Sequence, residues 1–444
     1  MPTISTFLGL QTALRGLLAH QRALDVTSHN ITNANAAGYT RQEATLGASL
    51  PLELLPVQTQ SFGGAQLGTG VEVHEYRRLR DQFLDLQARG SATAKYFADA
   101  RATLLGQIEE ALAEPSDNGI QAELANFFDA WAKLANNPES AAARQAVLAQ
   151  AGSLAQAVRD LDARLSAIAQ TAQSEFTTTT QTGGEVEQLA REIAQLNVAI
   201  ARAVQLREQP NDLRDRRDLL LDRLAQLASV QVQDDPARPG SVDVLFGDAA
   251  APLVSYDTVT WPQTFTSPGG RLGGLLAIAA SGGTVDQYRA QLATFARNLA
   301  DAVNALHVTP FFSYTAGNEA ATLAVAVTSP AGVRTGTSGA PGANDIALAI
   351  AALRSQTAGP VDQYASFVGT IANDARNANN EAARTAAVAE AAEQRRQSVH
   401  GVSLDEEMTA LVRFQRGYQA SARALTTLDE TLDVLINRTG RVGL

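Results

Sequence analysis

The chain has 444 residues, a net charge of −11 and no cysteine, with 45% hydrophobic but only 5% aromatic residues. The acidic balance excludes a general nucleic-acid binder, and the missing cysteines exclude disulfides, thiol catalysis and cysteine-based metal sites. An alanine-rich, aromatic-poor composition suits long packed helices, and no apolar run reaches the ~20 residues that span a bilayer.

The opening Met-Pro-Thr-Ile-Ser-Thr-Phe has no basic and apolar leader, so the chain is expected to be cytoplasmic or exported without a cleaved signal peptide. Phe7, Leu10, Leu14, Leu17, Leu24 and Ile31 then follow the alternating three–four spacing of a coiled-coil seam, with Gln21 and Ser28 filling missing steps. A stripe this narrow needs a partner helix to be stable. The other end of the chain supplies one: Leu404, Leu411, Phe414, Tyr418, Leu425, Leu428, Leu432 and Leu435, interrupted by Glu407 and Ser421. The two termini are therefore expected to pair.

Residues 47–70 read as loop-like and extended, and Val71–Tyr76 alternates as a short strand. Helix resumes from Asp81 towards Ala113, breaks at Pro115–Gly119, and continues to about Ala135. From Ser140 to about Thr180 the pattern is uninterrupted, which at ~1.5 Å per residue gives a rod of about 60 Å. Val186, Leu189, Ile193, Leu196, Ile200 and Ala203 form a further seam, and Pro210-Asn211-Asp212 opens the next helix, with Leu213, Leu220, Leu224 and Leu227 aligned. The period then changes to two in Val230-Gln-Val-Gln and Val242-Asp-Val-Leu-Phe. Helix returns at Gly274–Ala280 and Val285–Leu306, residues 308–345 are turn- and strand-like, and Asp345–Arg354 and Asp362–Ser398 are helical.

The expected fold is mainly α with a small β-rich insertion. Residues 1–45 and 400–444 would form a terminal coiled-coil domain, and residues 46–228, 272–307 and 345–399 a long-helix domain. Residues 229–271 with 308–344 would form one small β-rich domain facing outward and contributing little to the main joint.

Catalytic, cofactor and metal sites are all expected to be absent. His20, His29, His74, His307 and His400 make no close pair at helical spacing. Asp215, Asp218 and Asp222 share a helical face, but Arg214 lies four residues before Asp218 and Asp212 four before Arg216, so intrahelical ion pairs explain the pattern. Arg77-Arg78-Leu79-Arg80 and Arg214–Asp218 read as solvated surface or intersubunit pairs. Gly68-Thr-Gly70 and Gly269–Gly274 lack the remaining residues of a dinucleotide fingerprint or a phosphate loop.

Both ends carry a recognisable pattern. Ser28–Gln42, with Asn30, Asn33, Asn35, Gly38, Tyr39 and Arg41, resembles the N-terminal motif of flagellar rod, hook and hook-associated proteins. Val402–Met408 and Arg413–Ala420 resemble the matching tail motif of that axial family. In the middle, Leu196–Ile200 with Gln209–Leu224 looks like the helix pair of the hook-associated protein 1 branch, and Asn136–Ser140, Leu272–Leu276 and Asn304–His307 fit it.

The resemblance implies a structural subunit at the hook–filament junction, self-assembling into a ring or short helical layer between hook protein and a second junction protein. It further implies flagellar type III export, a chaperone on the C-terminal helix before assembly, an extracellular destination, and no contact with nucleic acid or membrane. The alternatives are the second hook–filament junction protein, another rod or hook subunit, or a secreted helical adhesin or adaptor.

Overall fold

The computed structural model describes residues 7–53, 66–116, 119–338 and 340–438. Helix α1 (Phe7–Asn33) is followed by a turn and strand β1 (Gln42–Ala48). Strands β2 (Leu52–Glu53) and β3 (Gln66–Leu67) pair with each other, and β4 (Val71–Arg78) returns antiparallel to β1. Gln42 lies opposite Arg78 and Ala48 opposite Val71, with a bulge between Thr45 and Leu46. Gln42–Ala48 escapes the sequence reading because its residues do not alternate in polarity.

Three long helices follow: α2 (Gln82–Leu112), α3 (Ile120–Asn136) and α4 (Ala141–Thr180). Asp81 caps α2 by accepting from the Phe83 and Leu84 amides, and Ser140 caps α4 by accepting from Ala143. The threonines ending α4 are helical, and Thr177, Thr179 and Thr180 each return their hydroxyl to the carbonyl four residues back. Next come α5 (Glu185–Gln205) and α6 (Asn211–Leu227), then the meander β5 (Val230–Asp234), β6 (Val242–Phe246), β7 (Val254–Ser255) and β8 (Thr258–Val259). The chain continues through α7 (Gly270–Ala279), α8 (Thr284–His307), β9 (Phe312–Ser313), the single turn α9 (Glu319–Thr322) and β10 (Ala324–Val325). Helices α10 (Asp345–Ala352), α11 (Pro360–His400) and α12 (Leu404–Asp433) complete it.

The core is legible as periodicity. On α4, Val147, Ala151, Leu154, Val158, Leu161 and Leu165 recur every three or four residues, and all are at most 4% exposed. The seam on α5 is buried from Val186 to Ile200, and Val242, Val244 and Phe246 turn inward along β6 while Asp243 and Leu245 do not. The structure adds side-chain ties between layers. Asn197 on α5 donates to the Val242 carbonyl at 2.9 Å and accepts from its amide, so one buried amide group registers the sheet on the helix.

The expected outer domain does not form as one unit. Strands β5–β8 make one sheet and β9–β10 another, and the two segments pack on different helices. Residues 308–344 are also no peripheral cover. Phe311 and Phe312 are 0% and 1% exposed, and Leu323 and Val333 are equally buried. Phe311 stacks within 5.4 Å of Trp131 and 5.2 Å of His307, and Phe312 within 5.7 Å of Phe127. Asn304 accepts from the Phe311 and Phe312 amides and donates to the Phe312 carbonyl. His307 bonds Thr309 through Nδ1 at 2.9 Å and accepts the Arg334 amide through Nε2 at 2.9 Å. The reason for the correction is packing: an aromatic pair in a strand-like stretch seeks a core whichever element it sits in.

Candidate assembly interface

Helices α1 and α12 pair antiparallel, and the sites where an added Cβ would strike the facing helix fix the register. Gly9 faces Leu428, Gly16 faces Ser421, Gly417 faces His20, and Asn30 meets Glu407. The buried stripe of α1 is Gly16, Ala19, Ala23, Thr27 and Asn30, so small residues bring the two axes together. The predicted seam residues flank that stripe. Phe7, Leu14 and Leu404 are exposed, while Leu10, Leu17, Leu24, Ile31, Leu411, Phe414, Tyr418, Leu425, Leu428 and Leu432 are half-buried. The side chain of Leu435 lies outside the described residues. Leu14, Leu18, Met408 and Val412 leave further apolar surface exposed on the hairpin.

Close approach at glycine makes a specific demand. A Cβ on Gly417 would stand 2.6 Å from the His20 ring, and one on Gly16 3.0 Å from Ser421 Oγ. Gly417→Leu is expected to cost the hairpin about 1–3 kcal/mol by overpacking. Amide hydrogen exchange should speed up in residues 7–33 and 404–433 while α3, α4 and α8 keep their protection. Unchanged exchange in the two terminal helices would refute the register.

The motif residues build the joint between this hairpin and the rest of the chain. Asn30 is 1% exposed and fully bonded: its amide donates to the Gln42 carbonyl and Glu407, and its oxygen accepts from the Gln42 amide and the Tyr39 hydroxyl. Asn33 donates to the His29 carbonyl at 3.0 Å, and Asn35 is exposed in the turn. Gly38 has φ +77°, and a Cβ there would meet Leu219 at 3.0 Å, so both conformation and space favour glycine. Burial, then the charges of Asp212, Asp215 and Glu407, push the Tyr39 phenol up, which keeps it a donor. Arg41 binds Glu407 at 2.6 Å and also Glu406, and its own amide donates to the His400 carbonyl.

Beneath this joint lies an ion-pair hub. Arg78 bonds Asp215 at 2.8 Å and Asp218 at 2.9 Å, and Arg80 bonds Asp85 and Asp218. Arg89 and Arg396 both reach Asp222 at 2.7 Å. The hub ties β4, α2, α6 and α11 together, which corrects two expectations. The aspartates of α6 pair across elements rather than along their own helix, and of the Arg77–Arg80 cluster only Arg77 sits on exposed surface, 3.2 Å from Glu43. No group of three or more potential metal ligands occurs among the described residues.

His400 closes the hub. Its Nε2 accepts the Asp81 amide at 3.0 Å, and its Nδ1 lies 3.8 Å from Asp85. Burial pushes the imidazole below its ordinary value of 6.5, with Arg80, Arg396 and Arg78 opposing a further cation and Asp85 favouring one. Because the folded value is the lower one, the unfolded chain takes up the proton first. Stability is therefore full above about pH 6.5 and falls between there and the depressed folded value. Melting curves from pH 7.5 to 5.5 should show this loss. His400→Gln, which keeps an acceptor for Asp81, should flatten part of it, and an identical slope in the variant would exclude His400 as its source. His307, also depressed mainly by burial, contributes with the same sign.

Sequence reasoning missed Glu407, Arg78, Arg80, Arg89 and Arg396 as joint residues. One signal was present. Glu407 interrupts an apolar seam, and a charged residue at a seam position calls for a partner, here Asn30 and Arg41.

Comparison with known proteins agrees along the whole chain. A family model for the flagellar hook-associated protein FlgK helical domain matches residues 105–267. Models for the flagella basal body rod protein and the flagellar basal body rod FlgEFG protein C-terminal region match residues 10–40 and 393–438. Flagellar hook-associated protein 1 of Bacillus subtilis is 30% identical over 98% of this chain and 99% of its own. The Salmonella typhimurium protein of the same name is 30% identical over 66% of this chain and 55% of its own. The solved flagellar hook junction protein FlgK from Burkholderia pseudomallei superposes with a TM-score of 0.58 at 17% identity, over 72% of this chain and 100% of that one, a likeness of fold. Relatedness that runs from end to end of the Bacillus protein, with axial-protein matches at both termini, makes this chain a member of the flagellar hook-associated protein 1 family.

Proposed function

We propose that the chain is a structural, non-enzymatic subunit that forms the junction between hook and filament. The observation that carries this reading is the terminal hairpin. It is small-residue packed inside, apolar outside at Leu14, Leu18, Met408 and Val412, and anchored through Asn30, Arg41 and Glu407. Exposed apolar side chains left on a two-helix unit give copies surface on which to pack. The chain would leave the cell through the flagellar type III route, its C-terminal helix covered by a chaperone. It would then assemble as a ring or short layer between hook protein and the second junction protein. Of the seam residues, Leu425 and Leu432 are proposed to face the axis of that assembly, while Leu428 packs on Gly9 within the pair.

The test is a strain lacking this gene. It should build hooks and release flagellin into the medium, and the gene restored in trans should return attached filaments. Attached filaments in the deletion strain would refute the role.

A further inference from the structure

The hub separates two clefts of unlike charge. One, of about 520 Å³, is lined by Arg78, Arg80, Arg89, Arg214 and Arg217 and by four aspartates, Asp234 and Asp235 among them, with Leu86 beside them. The other, of about 590 Å³, is lined by Glu393 and Glu406 with Arg41 and Arg396, and it shares Arg80, Asp85 and Asp218 with the first. Those three residues are thus the wall between the clefts, which open on two sides of the same joint.

On the arginine side five arginines stand against four aspartates, and two of the arginines are left out of the ion pairs. Arg78, Arg80 and Arg89 are matched by the aspartates of the hub. Arg217 is only 7% exposed, yet its guanidinium bonds just the neutral oxygens of Asn197 at 2.9 Å and Gly240 at 2.7 Å, and its Nε has no partner. Among the described residues no carboxylate lies within ion-pair distance of Arg214 or Arg217. Asp234 acts on both only from further away. Burial, reinforced by Arg78, Arg214 and Arg80, pushes Arg217 down to about 9. A buried cation without a counter-charge is costly, and a carboxylate from outside the chain would relieve it. Phe83 and Leu86 are 71% and 56% exposed on the α2 turn beside this cleft.

On the other side the first turn of α12 carries Asp405, Glu406 and Glu407. Arg41 holds the two glutamates, whereas the Asp405 carboxylate has no partner among the described residues. Leu404 and Met408, 51% and 53% exposed, share one helical face, and Asp405 lies beside it. An acid without a partner beside two exposed apolar residues complements a cleft with two arginines outside any ion pair and two exposed apolar residues on its α2 side.

We propose that the first turn of α12 in one copy docks into the arginine cleft of the next, setting Asp405 against Arg214 and Arg217 and Leu404 and Met408 against Phe83 and Leu86. The two surfaces differ and lie on two sides of one joint, so the contact is heterologous and repeats from copy to copy, as a ring requires. The proposal rests on the self-assembly proposed above.

The experiment uses chains in their assembled state. The lack of cysteine makes crosslinking clean: chains carrying Leu86→Cys and chains carrying Leu404→Cys are co-expressed, and isolated flagella are treated with a short bismaleimide. A crosslinked dimer that neither variant gives alone is the expected result. In parallel, Arg214→Glu and Asp405→Arg should each lower the fraction of cells with attached filaments by about tenfold through like-charge contact, and the double reversal should restore it. No mixed dimer in flagella that contain the chain, or single reversals that leave attachment at the wild-type level, would overturn the contact while leaving the junction role standing. Absence of the wild-type chain from isolated flagella would instead overturn the junction role, and this contact with it.

Discussion

Phe311→Ala is expected to destabilise the helical body by about 3–5 kcal/mol, the cost of emptying a large aromatic site in a core. Phe311 is fully buried between Trp131, Phe312 and His307, so its loss leaves a cavity lined by rings that cannot easily collapse. Urea unfolding followed by circular dichroism should show the shift, and Phe311→Leu, which keeps most of the apolar volume, should lose less. A harsher version excises the segment from just past Pro310 to Gly342 behind a short Gly/Ser linker. That change would uncover Phe127 and Trp131, leave Asn304 without partners and His307 Nε2 without its donor, and remove the Leu323 carbonyl that Arg159 binds. A variant that keeps a cooperative, native-like transition after this excision would show that the segment is dispensable cover after all.

That outcome separates what periodicity can and cannot reveal. The long helices were legible because their apolar residues recur at three and four, and Ser140 and Asp81 stand where caps belong. The fate of residues 308–344 was not, because short strands and turns carry no period long enough to say which face is covered. The anchors were nevertheless visible as residue types. Asn304 and His307 are polar groups at the end of an apolar helix, and each finds its partners in the segment that follows. The hairpin was legible as a pairing but not in its contact face. Leucines dominate a spacing pattern, whereas closest approach is set by Gly16, Ala19, Ala23 and Gly417, which such patterns under-weight. The hub was invisible for a different reason. Arg78 and Asp218 are far apart in sequence, and intrahelical spacing offers Asp218 a nearer arginine, Arg214, that the fold does not use.

Arg41→Ala is expected to free the terminal hairpin from the body and abolish filament attachment without unfolding the long helices. Glu407 is 2% exposed, and its carboxylate is met by Arg41 at 2.6 Å and Asn30 at 3.0 Å. Removing the arginine leaves that charge buried with one neutral donor, a loss of about 3–5 kcal/mol for a buried pair broken on one side. The cost falls on the joint alone, because Arg41 contacts the hairpin through Glu406 and Glu407 while the body keeps its own hub. Hydrogen exchange should therefore rise in α1 and α12 with the main urea transition unmoved. Arg41→Ala combined with Glu407→Gln should recover part of the docking, since a neutral amide can still accept from Asn30 without a stranded charge. Normal attachment in the single variant, or equal losses in the single and double variants, would show that the Arg41–Glu407 pair does not hold the joint.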